Sequence, residues 1–260
     1  MYGVAIGDLL GSKYEFNNIR TKNFALFQSD MFITDDTVMT CAVMESLLYG
    51  KDIRKSISKW YHRYPMASYG THFRWWVDGG CKGDNPSMGN GSAMRVSPVG
   101  MFAHTEEEVR RLSRAVTYPS HCHPDGLKGA EATAMMVFLA RQGCGRFVME
   151  TRFREYYPQG VDLDAVRSDT TYWGAMCYNT VPQAMECFFR SVDFEDCMRN
   201  CISIGGDSDT IGAIAGGVAE AYYGVPEPFL VMLGEFMPDD IQNVFWHFYD
   251  ECARRRREHE

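Results

Sequence analysis

Two short acidic clusters hold most of the chemistry this sequence offers. Thr34-Asp35-Asp36-Thr37 stands directly before a helical pattern that begins near Val38, and Gly206-Asp207-Ser208-Asp209-Thr210 stands directly before another over residues 211–222. Helix capping accounts for one residue in each, because Asp and Thr oxygens accept from free amides and acids favour the positive end of the helix dipole. A cap needs one such side chain, however, and each cluster supplies two carboxylates and at least one hydroxyl. Like charges crowded together are unbalanced unless a cation sits among them. Every donor is a hard oxygen, which suits Mg2+ or Mn2+ and not zinc or copper. On the residues alone, capping and metal binding both stay open, and the surplus of oxygens weighs toward metal.

Other patterns are weaker. A calcium loop counted from Asp207 fails, since Ile211 and Val218 fall where oxygen ligands belong. Gly89-Asn90-Gly91-Ser92 lacks the third glycine and the preceding strand of a dinucleotide fingerprint, and reads as a loop whose bare amides suit a phosphate. His121-Cys122-His123 has no second ligand pair at zinc-finger spacing, and no GxSxG elbow marks a serine hydrolase. Trp75-Trp76 reads as a loop anchor in preference to a stacking platform. Gly3, Gly7 and Gly11 recur every four residues, which on a helix makes a smooth strip for close approach of a backbone or ligand. Asp8 and Glu15, two turns apart, would share a face of that helix as a crowded, partly buried pair.

These residues need a scaffold, and helical periodicity supplies one over residues 37–49, 106–116, 125–141, 183–190, 196–203, 210–222 and 240–255. Thr105 with Glu108, and Asp193 with Asp196, mark helix starts. No stretch alternates long enough for a strand. The expectation is an all-α, compact single-domain helical bundle over residues 1–260, with a charged tail at 254–260. Residues 16–34, 64–98 and 143–172 read as irregular, and ligand contacts are expected there.

Composition agrees. The 260 residues, 45% hydrophobic and 23% charged, suit a globular chain with a sizeable core. A formal charge of −8 argues against coating a nucleic acid. Nine cysteines, an odd number at scattered spacings without a CxxC, read as core residues of a reduced, cytoplasmic protein. No secretion leader and no membrane span are expected. Monomer is the default, since no heptad demands a partner.

Taken in order, GVAIGDLLGSKYEF (residues 3–16), TDDTVMT (34–40), GNGSAMRVSPVG (89–100), SHCHPDGLKGAEATA (120–134) and IGGDSDTIGAIAGGVAEAYYGVPE (204–227) resemble the ADP-ribosylglycohydrolase family. The resemblance implies an all-α fold with two Mg2+ ions, Mn2+ in some members, at the bottom of a cleft. It implies Thr34, Asp35, Asp36, Asp207, Asp209 and Thr210 as metal ligands. Glu15 falls at a catalytic or metal-gating glutamate, against a plain reading as the end of the first helix, and Glu15 or Asp35 would be the general acid or base. Ser87, Gly89, Asn90, Gly91 and Ser92 would lie along the diphosphate and distal ribose. His123 would stand near the distal part of the ligand with His121 in a lesser place, and Asp84 would face the departing side chain. The implied reaction is hydrolysis at the anomeric carbon of the proximal ribose, releasing ADP-ribose from a modified protein. Two other readings use the same residues: a silent binder of ADP-ribose, and a hydrolase of a small ADP-ribosylated metabolite.

Overall fold

The computed structural model describes residues 1–171 and 174–258, and no strand occurs among them. The first half holds α1 (Tyr2–Ser12), α2 (Asp35–Tyr49), α3 (Ile53–Arg63), α4 (Thr71–Asp78), α5 (Gly91–Met94), α6 (Ser97–Phe102), α7 (Glu106–Thr117) and α8 (Pro124–Arg141). The second half holds α9 (Arg146–Tyr156), α10 (Leu163–Ser168), α11 (Cys177–Phe189), α12 (Phe194–Ser203), α13 (Ser208–Tyr223), α14 (Glu227–Phe236) and α15 (Asp239–Arg257).

All seven periodic stretches are helices, and the all-α expectation holds. The irregular stretches need correction. Residues 64–98 contain α4 and α5, and residues 143–172 contain α9 and α10. The patterns were weak for a physical reason. α9 buries only Met149 and Phe153 while Phe147 and Val148 are exposed, so its apolar residues form no single stripe, and α10 buries nothing. α3 lies outside the seven expected stretches, although Ile53, Ile57 and Trp60 make a clean buried face at helical spacing. Residues 16–34 remain irregular. The tail at 254–260 is helix as far as Arg257, with the Arg255 guanidinium 4.0 Å from the centre of the Phe102 ring. Tyr172, at the end of the third stretch, and His259 and Glu260 of the tail lie outside the described residues.

The caps explain where the helices begin. The Glu108 amide donates to the Thr105 hydroxyl at 3.1 Å, and the Glu108 carboxylate reaches back to the His104 amide at 2.8 Å. The Asp196 amide donates to Asp193 at 2.7 Å, and the Asp196 carboxylate reaches back to the Val192 amide at 3.1 Å. In both cases the return bond lands one residue before the cap.

α13 and α8 are buried on nearly all sides, as helices apolar around their whole circumference must be. α1 lies against α13 with almost no side chain between them. A Cβ on Gly3 would stand 2.1 Å from the Gly216 carbonyl oxygen, on Gly7 2.0 Å from that of Gly212, and on Gly11 2.3 Å from the Cα of Asp209. Each helix-interior glycine costs about 1 kcal/mol in propensity, and backbone contact along the strip offsets that cost. The strip therefore serves close packing, and its last step rests on an acid of the second cluster.

Candidate active site

The glycine contact sets the distance between two acid-bearing helices. Asp8 on α1 and Asp209 in the first turn of α13 face each other, and Asp36 joins them from the first turn of α2. Ligand oxygens of these three lie within 4.8 Å of one another, and Glu15, Asp207 and Asp209 form a second such group. Asp209 belongs to both. α1 ends at Ser12, so Glu15 does not continue the helical face of Asp8; it lies in the following turn, with its amide bonded to the Gly11 carbonyl at 3.1 Å. The pair is crowded through Asp209 and not through a shared helix face.

Asp8 was not anticipated as a site residue, although an acid inside an apolar helix was a usable signal. It is wholly buried, and its carboxylate accepts the Thr34 amide (2.9 Å), the Thr34 hydroxyl (2.8 Å), the Thr37 amide (3.1 Å) and the Thr37 hydroxyl. Asp8 thereby ties the entry of α2 to α1. Capping and clustering coexist there, since the Asp36 amide also donates to the Thr34 hydroxyl at 3.4 Å. At the second cluster capping does not explain the acid. Asp207 occupies the cap position of α13 without a side-chain capping bond, and accepts instead from the Asn90 side-chain amide at 2.6 Å.

The irregular segment after α1 holds this second cluster in place. Gly205 and Gly206 adopt φ of 66° and 78°, a left-handed turn that suits glycine. Asn18 clasps it twice, donating to the Gly206 carbonyl at 2.9 Å and accepting from the Gly206 amide at 2.8 Å, and Arg20 donates to the Ile204 carbonyl.

Burial and like charge act together on these acids. Burial raises Asp8 to about 6, even against its four hydrogen bonds. Burial, then Asp207, raises Glu15 to about 7. Burial followed by neighbouring carboxylates pushes Asp35, Asp36 and Asp209 well above the usual range, and burial raises Asp207. Asp36 Oδ1 is buried without a hydrogen-bond partner. An orphaned oxygen within two overlapping carboxylate groups is a donor set that fits hard divalent cations.

Above the acids a cleft of about 590 Å³ opens, within the usual size of small-molecule sites. Its base includes Glu15, Asp35, Asp36, Asp207, Asp209 and Thr210, so all of the expected ligands except Thr34 line it. Thr34 is buried, and its hydroxyl is taken up by Asp8 and, at 3.2 Å, by Asp36. Ser87, Gly89, Asn90 and Gly91 line one wall. Their amides are less available than expected, because Gly89 donates to the Ser87 hydroxyl at 3.1 Å and Asn90 to the Ala175 carbonyl at 2.9 Å.

Three expectations are corrected. Ser92 sits behind the wall, fully buried, with its hydroxyl on the Gly126 carbonyl at 2.9 Å. His121, not His123, lines the cleft; His123 is the cap of α8, with Nδ1 accepting the Asp125 amide at 3.1 Å. Two residues apart in a turn, the two rings leave the backbone in different directions. Asp84 is absent from the lining and pairs with Arg54 at 2.6 Å. Arg95, also on the wall, was missed: it is almost wholly buried and has no acidic partner among the described residues.

Comparison with known proteins agrees with this geometry. The family model described as ADP-ribosylglycohydrolase matches residues 1–258. ADP-ribosylhydrolase ARH3 of Mus musculus is 25% identical, covering 92% of this chain and 87% of that protein. ADP-ribosyl-[dinitrogen reductase] glycohydrolase of Rhodospirillum rubrum is 27% identical over 86% of this chain and 84% of its own length, and ADP-ribosylarginine hydrolase Tri1 of Serratia proteamaculans is 21% identical over 88% and 73%. Among solved structures, an ADP-ribosylglycohydrolase-related protein complex has the same fold, with a TM-score of 0.74 at 24% identity over 96% of this chain and 95% of that one. The match spans the acidic floor, the cleft wall and the helices that carry both, and the chain belongs to the ADP-ribosylglycohydrolase family of hydrolases.

Proposed function

We propose that this protein is a metal-dependent ADP-ribosylhydrolase that cleaves the bond between a protein side chain and the anomeric carbon of the proximal ribose. The observation that carries the reading is the pair of carboxylate groups, joined at Asp209, at the base of a ligand-sized cleft. Family membership and the names of the relatives support it. Asp36, Asp207 and Asp209 would hold two divalent cations, with Asp8 and Glu15 completing the two groups and Asp35 and Thr210 beside them. Bound there, the cations would neutralise the acids and supply Lewis acidity to ribose and water oxygens.

The residues of the chain do the rest. As the glycosidic bond breaks, positive charge develops on the ribose ring, and fixed carboxylates beneath it stabilise that charge. Asp8 fixes Thr34 and Thr37 on either side of Asp35 and Asp36, and Asn90 holds Asp207, through the hydrogen bonds described above. Glu15, in the turn beside Asp207 and Asp209 and on the lining of the cleft, suits a general acid or base that serves the departing group and the attacking water in turn. The test is release of ADP-ribose from an ADP-ribosylated protein. Chelator, or Asp207→Ala, should abolish it; full activity under either condition would refute the metal-dependent reading. A panel of arginine- and serine-linked substrates then identifies the acceptor.

A further inference from the structure

The cleft wall holds a buried cation that the proposed chemistry does not use. Arg95 is 1% exposed, packs 5.7 Å from the centre of the Phe73 ring, and its Nε has no hydrogen-bond partner. Its Nη2 donates to the hydroxyl of Ser120, and that hydroxyl lies 2.9 Å from Nδ1 of His121. We propose that Arg95 and Ser120 are positioning residues that fix the tautomer of His121, so that its Nε2 presents a hydrogen to an unprotonated oxygen of the bound ADP-ribosyl group. The substrate half of this inference rests on the function proposed above.

Counting donors and acceptors decides the tautomer. A guanidinium cannot accept, so Ser120 Oγ must accept from Arg95 and keeps one hydrogen to give. Two acceptors are in reach: His121 Nδ1 at 2.9 Å and the Thr117 carbonyl at 3.3 Å. The Thr117 carbonyl already takes the amides of Ser120 (3.1 Å) and His121 (3.0 Å), which occupy both of its lone pairs. The hydroxyl hydrogen therefore goes to Nδ1, and the ring hydrogen stands on Nε2. The positive charge of Arg95 favours the same direction, since it polarises the hydroxyl as a donor and opposes an N–H pointed at it. Burial, and then Arg95, hold His121 well below the ordinary histidine range, which keeps the ring neutral. Nε2 faces the glycine wall, 3.2 Å from where a Cβ on Gly91 would stand, and has no hydrogen-bond partner among the described residues. A neutral ring with a fixed donor selects an acceptor oxygen and disfavours a ligand hydroxyl that must itself donate.

Nitrogen-15 NMR of the histidine-labelled, ligand-free full chain tests the relay, with the His121 signals assigned by their loss in His121→Asn. The expected spectrum places the hydrogen on Nε2 and leaves Nδ1 bare. A hydrogen on Nδ1, or averaging between the two nitrogens, overturns the proposal. Ser120→Ala should let the two tautomers average and raise KM about tenfold, the loss of one oriented hydrogen bond, with kcat changed less than about twofold, and Ser120→Thr should restore both. A Ser120→Ala protein with the parental spectrum and KM would also overturn it. If the parent chain hydrolyses no ADP-ribosyl substrate, the proposed function fails, and the spectrum still decides the relay.

Discussion

At the floor of the cleft a Cβ on Gly7 would stand 2.0 Å from the Gly212 carbonyl oxygen, whereas at the rim a Cβ on Gly70 would meet nothing within 4 Å. The floor is backbone against backbone, with Asp36 and Asp209 in the first turns of their helices and Asp8 tied to Thr34 and Thr37 by buried hydrogen bonds. The rim around α4 is solvated, Trp75 being 67% exposed, and Arg54 pairs with Asp84 at the surface. The same residue type is thus indispensable in one region and replaceable in the other. Crowding six acids together, four of them buried, demands a rigid frame, and a solvated rim does not.

Substitutions sharpen this contrast. Gly7→Val should be the most damaging, because neither backbone can yield. We expect a loss of at least about 3 kcal/mol, the upper end for overpacking, read as the urea midpoint. A small loss would mean that α1 and α13 can separate. Asp209→Ala removes the residue common to both carboxylate groups and should lower kcat about a thousandfold, on the scale of a lost electrostatic contact in an active site. Glu15→Gln keeps the shape but not the proton, and should cost about a hundredfold in kcat.

Metal-free protein should also show the strain of its floor as a pH dependence. Asp8 at about 6 and Glu15 at about 7 lie above their unfolded values, so the folded chain binds more protons than the unfolded one. Their stabilising contribution is present in full below about pH 4 and is lost as pH rises toward about 8. The urea midpoint of chelated protein should therefore fall from pH 5 to pH 8, and saturating Mg2+ should flatten the curve. A midpoint that rises across this window would contradict the sign. The smallest effects belong to the rim: Gly70→Ala should change stability by less than about 0.5 kcal/mol. Asp84→Ala removes only an exposed ion pair and should leave kcat/KM within about twofold.

Legibility followed the same division. TDDT and GGDSDT could be read as more than caps because their oxygens outnumber what capping requires. The glycine strip could be read as a contact surface because a four-residue spacing lies on one helix face. Asp8 is not legible as a site residue, because its role depends on Thr34 and Thr37, 26 and 29 residues away in sequence. The expected order of His123 before His121 is reversed, since residues two apart differ only in where the turn before α8 sends their side chains. α9 has no legible period because its exposed Phe147 and Val148 blur the stripe made by Met149 and Phe153.

Local chemistry was therefore settled by the sequence alone: hard-oxygen clusters at two helix starts, a helix built for close approach, an all-α chain. Those features depend on residue type and short spacing, which tertiary contacts do not alter. The tertiary structure alone decided that Asp209 joins two acid groups, that Asn90 turns to Asp207, that Asp84 pairs with Arg54, and that Arg95 reaches His121 through Ser120. Each of these is a meeting of side chains across the fold, and no spacing along the chain encodes the distance between them.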